Sequence, residues 1–327
     1  MRYALIAAFA ILTLFVAITT WIVLYPPVPT DLGGVENLDH RAQPVRIAVG
    51  EEDFLDGWYV PGRNQGVVLL MHGYGRSHTR MWRYGGFLNR AGYGVLTFDF
   101  RSGRGHDRKP TTLGHYERED AQAALDWLRS QPAAAGKRIG VLGESLGGSV
   151  GLWVAARNTD VAAVVGDCAF ATGKLALEES CARWARLPSW PTAEAVRWIG
   201  RRFTGHDPAA LDVLAASAEL KHRPVMFIQG LEDNRFSAAQ VEQLWRAAGA
   251  KDPIWLIPGA GHNQGWKRQR DLYESRVRAF FDRHLLGAGA GLPAGALGTD
   301  PIAARARPRW AVFPGIGPAH AGAPQAR

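Results

Sequence analysis

The chain has 327 residues, which leaves room for one large α/β domain or at most two ordinary domains. Its apolar fraction of 47% and aromatic fraction of 10% are typical of a protein with a sizeable packed core, so wholesale disorder is excluded. The net charge of +8 comes mostly from arginines scattered along the chain, and this scatter indicates no nucleic-acid partner.

An uncharged apolar segment occupies residues 3–24. A helix of this length spans the hydrocarbon core of a bilayer, so residues 1–27 are predicted to be a transmembrane signal anchor. Arg2 precedes the segment and acidic residues follow it, which predicts a single-pass protein of the cell inner membrane with the rest of the chain on the periplasmic side. A cleaved signal peptide is the alternative, although no small-residue cleavage site is evident.

After a linker over residues 28–44, eight short apolar runs predict the strands of a domain over residues 45–286. These runs cover residues 45–49, 54–60, 67–71, 94–98, 139–142, 161–165, 225–228 and 254–257. Helical patterns lie between several of them and after the last. The alternation predicts an α/β fold with a mostly parallel, doubly wound sheet of about eight strands.

The connection over residues 171–223 is too long for a simple crossover between strands. It contains helical stretches rich in Trp and Arg and broken by Pro188 and Pro191, which predict a small helical cap between the sixth and seventh strands. The tail over residues 287–327 is rich in Gly, Ala, Pro and Arg without periodicity. Such a segment buries too little apolar area to offset chain entropy, so the tail is predicted to be disordered.

The two cysteines, Cys168 and Cys181, are too few for a disulfide scaffold and lack the neighbours of a zinc site. In an exported domain they could form one bridge at the root of the cap. The pattern favours the other interpretation, in which Cys168 is a buried small hydrophobe and Cys181 belongs to the apolar face of the cap.

The central motif is Gly-Glu-Ser-Leu-Gly, with Ser145 at its centre, directly after one predicted strand and before a predicted helix. A nucleophile on such a strand-to-helix turn adopts a strained backbone that exposes its oxygen. The turn tolerates little bulk two residues to either side, which accounts for Gly143 and Gly147 as structural positions of the elbow. The motif in this context predicts that Ser145 is a catalytic nucleophile.

A serine nucleophile needs a base and an orienting acid, which follow it in the order acid, then His. His262 lies in a glycine-rich loop just past the last predicted strand, and Asp233 lies just past the seventh. We therefore expect His262 to be the base and Asp233 the acid. Glu232 beside it and Asp167 after the sixth strand are alternative acids, but the spacing of Asp233 from the preceding glycine favours Asp233.

An oxyanion hole requires two backbone donors. The amide of Leu146, next to the nucleophile at a helix start, is predicted to be one of them. The second is predicted in the loop after the third strand, at the amide of Tyr74. His72 in the same loop is expected to be structural, holding the loop in place.

These residues resemble the α/β-hydrolase superfamily over residues 45–286. The motifs that carry the resemblance are HGYG at His72, DFRSGRG at Asp99, LGHYERED at Leu113, GESLGG at Gly143, DCAF at Asp167, GLED at Gly230 and GAGH at Gly259. Together they are most similar to membrane-anchored or secreted hydrolases of the serine aminopeptidase and acylglycerol-lipase-like group. The resemblance implies hydrolysis of an ester, amide or thioester through an acyl-enzyme, with no metal or organic cofactor. The sequence departs from the group at Asn234-Arg235-Phe236, where relatives often have proline or small apolar residues.

The leading hypothesis is a membrane-tethered esterase that acts on a small-molecule or lipid-like acyl substrate. An aminopeptidase is an alternative, in which Glu178, Glu179 or Glu194 of the cap would hold the substrate ammonium group. An acyltransferase on the same triad and a non-catalytic binding protein are the further alternatives. No sequence feature predicts the oligomeric state.

Overall fold

The computed structural model describes residues 2–3, 6–7, 10, 14, 18, 21–28, 39–103, 109–221 and 223–287 of the chain. Eight strands form a single sheet within this part of the chain. Their bounds are β1 Gln43–Val49, β2 Asp53–Val60, β3 Gly66–Met71, β4 Gly94–Phe98, β5 Arg138–Glu144, β6 Val161–Asp167, β7 Val225–Gly230 and β8 Trp255–Ile257. Each lies on one of the eight predicted runs, with ends shifted by at most two residues.

The sheet has the strand order β1-β2-β4-β3-β5-β6-β7-β8. The first two strands pair antiparallel, and β2 also pairs antiparallel with β4. All further pairs are parallel. The carboxyl ends of β5, β7 and β8 therefore meet at one edge, where ligands bind in open parallel sheets.

Helices cover both faces of the sheet. Their bounds are α1 His78–Arg90, α2 His115–Ser130, α3 Leu146–Arg157, α4 Gly173–Glu179, α5 Ser189–Thr204, α6 Val213–Ala218, α7 Ala238–Ala248, α8 Gly265–Arg268 and α9 Arg270–Leu285. One face packs against the apolar sides of α2, α3 and α7, and the other against α1 and α9. The doubly wound α/β fold predicted from the sequence is confirmed.

The predicted apolar helix faces are buried. Ala121, Ala124, Leu125 and Leu128 of α2 are fully buried, as are Tyr273, Val277, Phe280, Phe281 and Leu285 of α9. Burying one large apolar side chain stabilises a fold by roughly 1.5–3 kcal/mol relative to leaving it exposed. These two faces therefore fix both helices to the sheet.

Helices α4, α5 and α6 lie in the connection between β6 and β7, where a cap is predicted over residues 171–223. A π-helical turn at Ser180–Trp184 separates α4 from α5. Leu177, Cys181 and Ala193 form a small apolar cluster within this region. Cys168 and Cys181 are both buried free thiols, so the alternative of a bridge between them is wrong and the interpretation as buried hydrophobes is confirmed.

The end of the apolar N-terminal segment packs against the domain. Residues 21–24 are helical, and the side chain of Leu24 is buried. The Tyr74 hydroxyl donates a hydrogen bond to the carbonyl of Val23 at 2.8 Å, and the Thr111 amide donates to the carbonyl of Leu24 at 2.8 Å. This segment end therefore contacts the same loop in which an oxyanion donor is predicted.

The predicted transmembrane helix is not found among the residues that the structure describes, where no helix is both long and apolar enough to cross a membrane. Most of residues 3–24 lie outside the described residues. The greater part of the predicted linker, residues 29–38, and residues 288–327 of the predicted disordered tail also lie outside them.

Candidate active site

The turn between β5 and α3 places Ser145 in a strained conformation. Ser145 has φ 54° and ψ −119°, a region that residues with a side chain rarely adopt. A Cβ on Gly143 would lie 2.2 Å from the carbonyl oxygen of Gly147, and one on Gly147 would lie 2.2 Å from that of Met71. Neither position can accept a side chain, because both contacts are with backbone. The predicted structural roles of Gly143 and Gly147 are thus explained by the close packing of the elbow.

The three residues predicted to form a triad come together. The Nε2 atom of His262 lies 2.9 Å from Ser145 Oγ, and its Nδ1 atom lies 2.7 Å from Asp233 Oδ2. A carboxylate only accepts hydrogen bonds, so Nδ1 carries the proton and Nε2 accepts from the serine hydroxyl. This tautomer is the one in which an imidazole can remove a proton from serine.

Asp233 is buried yet remains charged. Burial alone would raise the pKa of Asp233, but the hydrogen bond from His262 and the amides of Arg235 and Phe236 hold this pKa below its usual value. The two amides donate to Oδ1 at 2.7 and 3.0 Å, and the Gln229 side chain donates to Oδ2 at 3.1 Å. The acid therefore has a fixed orientation towards His262.

The two alternative acids, Asp167 and Glu232, form no hydrogen bond to His262 among the contacts of the described residues. The carboxylate of Asp167 is buried and accepts hydrogen bonds from the hydroxyls of Tyr273 at 2.9 Å and Tyr84 at 3.3 Å. Burial raises the pKa of Asp167. Glu232 is exposed and lines the pocket in front of Ser145. The geometry therefore favours Asp233 as the partner of His262.

The loop after β3 runs beside the nucleophile. A Cβ on Gly73 would lie 3.2 Å from the Cβ of Ser145, and Tyr74 lines the same pocket as Ser145. Leu146 is the first residue of α3, where amides point away from the helix and have no partner within it. Of the predicted donors, Tyr74 thus lines the same pocket as Ser145, and Leu146 follows Ser145 directly in the chain. Their role in an oxyanion hole stays a prediction.

His72 holds this loop in place. The Phe100 amide donates to His72 Nε2 at 3.1 Å, so Nδ1 carries the proton and donates to the Gly73 carbonyl at 2.8 Å. Burial lowers the pKa of His72, which keeps the ring neutral in this arrangement. The structural role expected for His72 is confirmed.

A buried ion-pair cluster next to the nucleophile was not predicted from the sequence. Glu144 is fully buried and accepts a hydrogen bond from Arg80 Nε at 2.6 Å and another from Arg83. Burial would raise the pKa of Glu144, but the two guanidinium groups hold it below its usual value. The available signal was a charged residue at the end of an apolar strand, which requires a charged partner.

A pocket of about 390 Å³ opens in front of the triad. Its lining includes Ser145 and His262 and is strongly polar, with the three arginines Arg76, Arg80 and Arg235. Among the described residues that line it, Glu232 is the acidic one. The sequence analysis assigned no role to these arginines.

The cap contacts the loop that carries the acid, residues 231–236, here named the acid loop. Arg183 donates a hydrogen bond to the carbonyl of Asp233 at 2.6 Å, and the Arg235 guanidinium lies 4.6 Å from the centre of the Trp184 ring. Just past the acid loop, the carboxylate of Glu179 accepts from the Ser237 amide at 2.6 Å. The end of α4 and the π-helical turn that follows it are therefore fixed beside the triad.

Among the described residues, one cluster has the spacing of metal ligands: Cys168, Asp233 and His262, whose donor atoms lie within 4.8 Å of one another. Burial raises the pKa of the Cys168 thiol well above its usual value, which disfavours the thiolate that binds metals. The facing atoms of Asp233 and His262 are hydrogen-bonded to each other. The cluster therefore fits a hydrogen-bonded triad better than a metal centre.

Fold and site together define the class of protein. The family model for the alpha/beta hydrolase fold matches residues 66–195. Solved structures of an esterase and a peptidase superpose on the chain. The chain therefore has the fold of the α/β-hydrolase superfamily, and its similarity to that family model and to an esterase supports a hydrolase.

The sequence identity between the chain and individual relatives is low. The chain is 24% identical over 250 residues to the uncharacterised protein YqkD of Bacillus subtilis, covering 76% of this chain and 81% of that protein. It is similar to an esterase of Pyrococcus furiosus, with 25% identity, a TM-score of 0.66, and coverage of 80% of this chain and 97% of that one. The acylaminoacyl peptidase of Pyrococcus horikoshii shares the fold, with 18% identity, a TM-score of 0.60, and coverage of 81% and 46%.

Proposed function

We propose that the protein is a serine hydrolase that cleaves carboxylic esters through an acyl-enzyme intermediate. The observation that carries this proposal is the hydrogen-bonded series from Ser145 Oγ through His262 to Asp233, at 2.9 and 2.7 Å, on a strained nucleophile turn. The esterase among the similar solved structures supports it.

In the proposed reaction, Ser145 Oγ attacks the carbonyl carbon of the ester while its proton passes to His262 Nε2. The tetrahedral intermediate collapses, the C–O bond to the leaving group breaks, and His262 returns the proton to the departing alcohol. Water then attacks the acyl-enzyme, His262 takes a proton from it, and the carboxylic acid leaves as Ser145 regains its hydrogen. Asp233 stabilises the imidazolium at each transfer.

The negative charge on the tetrahedral oxygen needs donors that are in place before the reaction. The amides of Leu146 and Tyr74 are proposed to serve there. The positive end of the α3 dipole adds to this stabilisation because Leu146 begins the helix. No step of this scheme requires a metal or an organic cofactor.

An aminopeptidase is less well supported by the contacts of the cap. Its three candidate acids are engaged elsewhere: Glu179 with Ser237, Glu194 with Arg197 at 2.9 Å, and Glu178 with Lys174 at 3.9 Å. The pocket itself is lined by three arginines, which repel the ammonium group of an aminopeptidase substrate. Ester cleavage therefore fits the site better.

The test compares 4-nitrophenyl esters of graded chain length with aminoacyl 4-nitroanilides, using the wild type and Ser145→Ala. The proposal predicts turnover of esters that Ser145→Ala abolishes, and weak or no turnover of the anilides. Ester turnover that persists in Ser145→Ala, or faster turnover of the anilides, would contradict it.

A further inference from the structure

Among the described residues that line the pocket in front of Ser145, positive side chains outnumber negative ones. Arg80 and Arg83 share the single carboxylate of Glu144, which lies next to the nucleophile. Farther out, Arg76 and Arg235 line the pocket, and Glu232 provides negative charge there. An anion in this pocket would therefore meet more positive than negative groups.

Arg235 has a fixed place in this pocket. Its backbone amide donates to Asp233 Oδ1, which sets its position two residues after the triad acid. Its guanidinium lies over the ring of Trp184, which also lines the pocket. A stacked guanidinium keeps its edges available for hydrogen bonds and loses little side-chain entropy when it binds a ligand. The side chain is thus preorganised at the pocket wall.

The positive charge of Arg235 is partly removed from water and lies near the positive charge of Arg76. Its burial and the nearby charge of Arg76 lower the pKa of the Arg235 guanidinium, and the charge of Asp233 opposes them in part, so the group stays protonated at any physiological pH. An anionic group bound between these side chains would offset the repulsion between their charges, whereas an uncharged substrate would gain nothing from them.

We propose that Arg235, with Arg76, forms a subsite for a negatively charged group of the substrate, so that the hydrolase prefers acyl compounds that carry a carboxylate or phosphate. This inference rests on the proposed function and assigns its substrate class. It also gives a role to the Asn-Arg-Phe sequence at residues 234–236, where the chain departs from the group that it resembles.

The experiment measures kcat/KM for two pairs of esters that differ in one charge. On the acyl side, mono-4-nitrophenyl adipate is compared with its methyl ester; on the leaving-group side, 4-acetoxybenzoate is compared with its methyl ester. Each rate is divided by the rate of alkaline hydrolysis of the same compound. In at least one pair, the wild type is expected to favour the anion by about 10-fold, the lower end for one charge-assisted hydrogen bond.

Variants then assign the preference to the subsite. Arg235→Gln is expected to lower kcat/KM for the anionic ester several times more than kcat/KM for its neutral partner, and so to remove most of the preference. Arg235→Lys keeps the charge and should retain part of the preference. Arg202→Gln is the matched control, because Arg202 is an exposed cap arginine outside the pocket lining, and it should leave the preference unchanged. Raising the ionic strength should weaken the preference, because salt screens partly exposed charges.

The outcomes separate this inference from the function on which it rests. Ser145-dependent turnover without preference for either anion, or equal losses on both members of a pair in Arg235→Gln, would overturn the subsite and leave the serine hydrolase intact. Equal losses would mean that Arg235 only fixes the cap. Absence of Ser145-dependent turnover of all four esters would overturn the function and the subsite together.

Discussion

Asp233 remains ionised in a buried position because His262 and two backbone amides surround its carboxylate. Asp233→Asn would replace an acceptor facing His262 Nδ1 with an amide and would favour the wrong imidazole tautomer. We expect kcat to fall by about four orders of magnitude with the fold intact. Steady-state ester hydrolysis and circular dichroism check this expectation.

Asp167→Asn is the matched control, since Asp167 contacts two tyrosine hydroxyls rather than His262. Its kcat should stay within about tenfold of the wild type, because Asn keeps an oxygen that can accept from those hydroxyls. If Asp167→Asn lost activity and Asp233→Asn kept it, the assignment of the acid would be wrong.

The buried cluster of Glu144, Arg80 and Arg83 predicts a pH dependence of stability. The pKa of Glu144 is lowered in the folded state, so its contribution is fully present above the unfolded value of about 4.3 and is lost as the pH falls through the folded value. At pH 7, Glu144→Gln should cost about 3 kcal/mol, because two arginines lose their buried partner.

Urea denaturation at a series of pH values tests this prediction. The difference in unfolding free energy between wild type and Glu144→Gln should shrink as the pH falls below about 4.3. Glu119→Gln is the control, since Glu119 is half-exposed in its ion pair with Arg101 and should contribute less than about 1 kcal/mol. A constant difference between Glu144→Gln and wild type at all pH values would exclude titration of this carboxylate as the cause.

Local sequence patterns were sufficient for the eight strands, because short apolar runs that alternate with helical patterns along the chain are typical of a buried, mostly parallel sheet. They also located Ser145, Asp233 and His262, since each follows a strand whose carboxyl end lies at the same edge of the sheet. The arginines at the pocket were not found. Arg80 is far from Glu144 in sequence, and Arg235 meets Trp184 of the cap only once tertiary packing has formed.

The helical residues 21–24 also make tertiary contacts that the sequence did not predict. Their apolar character predicts that they belong to a transmembrane helix. In the structure, however, Leu24 is buried against the domain, and the Tyr74 hydroxyl donates a hydrogen bond to the carbonyl of Val23. We predict that a chain starting at residue 21 keeps the stability and kcat/KM of the full chain. A chain starting at residue 26 should lose about 2 kcal/mol of unfolding free energy, the contribution of one large buried apolar side chain.

Both truncated chains and the full chain are compared by urea denaturation and ester hydrolysis in the same detergent-containing buffer. Leu24→Ala in the full chain is the control and should reproduce most of the loss. The shorter chain should also have lower kcat/KM, because Tyr74 lies in the loop beside Ser145. Equal stability and activity of the two truncated chains would show that this contact is unimportant.

The location of the whole molecule stays a prediction, because it rests on the apolar segment 3–24 and the charges around it. If the domain is outside the cytoplasm, a phosphatase reporter fused after Leu286 should be active, since such a reporter folds only in an oxidising compartment. Enzyme activity of the reporter in intact cells measures this, with expression normalised by immunoblot. An inactive reporter at normal expression would contradict the predicted orientation.

The central claim is that Ser145 is the nucleophile of a triad with His262 and Asp233. The most direct measurement is intact-protein mass spectrometry after treatment with a fluorophosphonate, followed by peptide mapping. We predict one adduct on wild type, located on Ser145, no adduct on Ser145→Ala, and slow labelling of His262→Ala, since loss of either residue removes most of the catalytic power of a triad. An adduct that persists on Ser145→Ala, or that maps to another residue of the wild type, would contradict the claim.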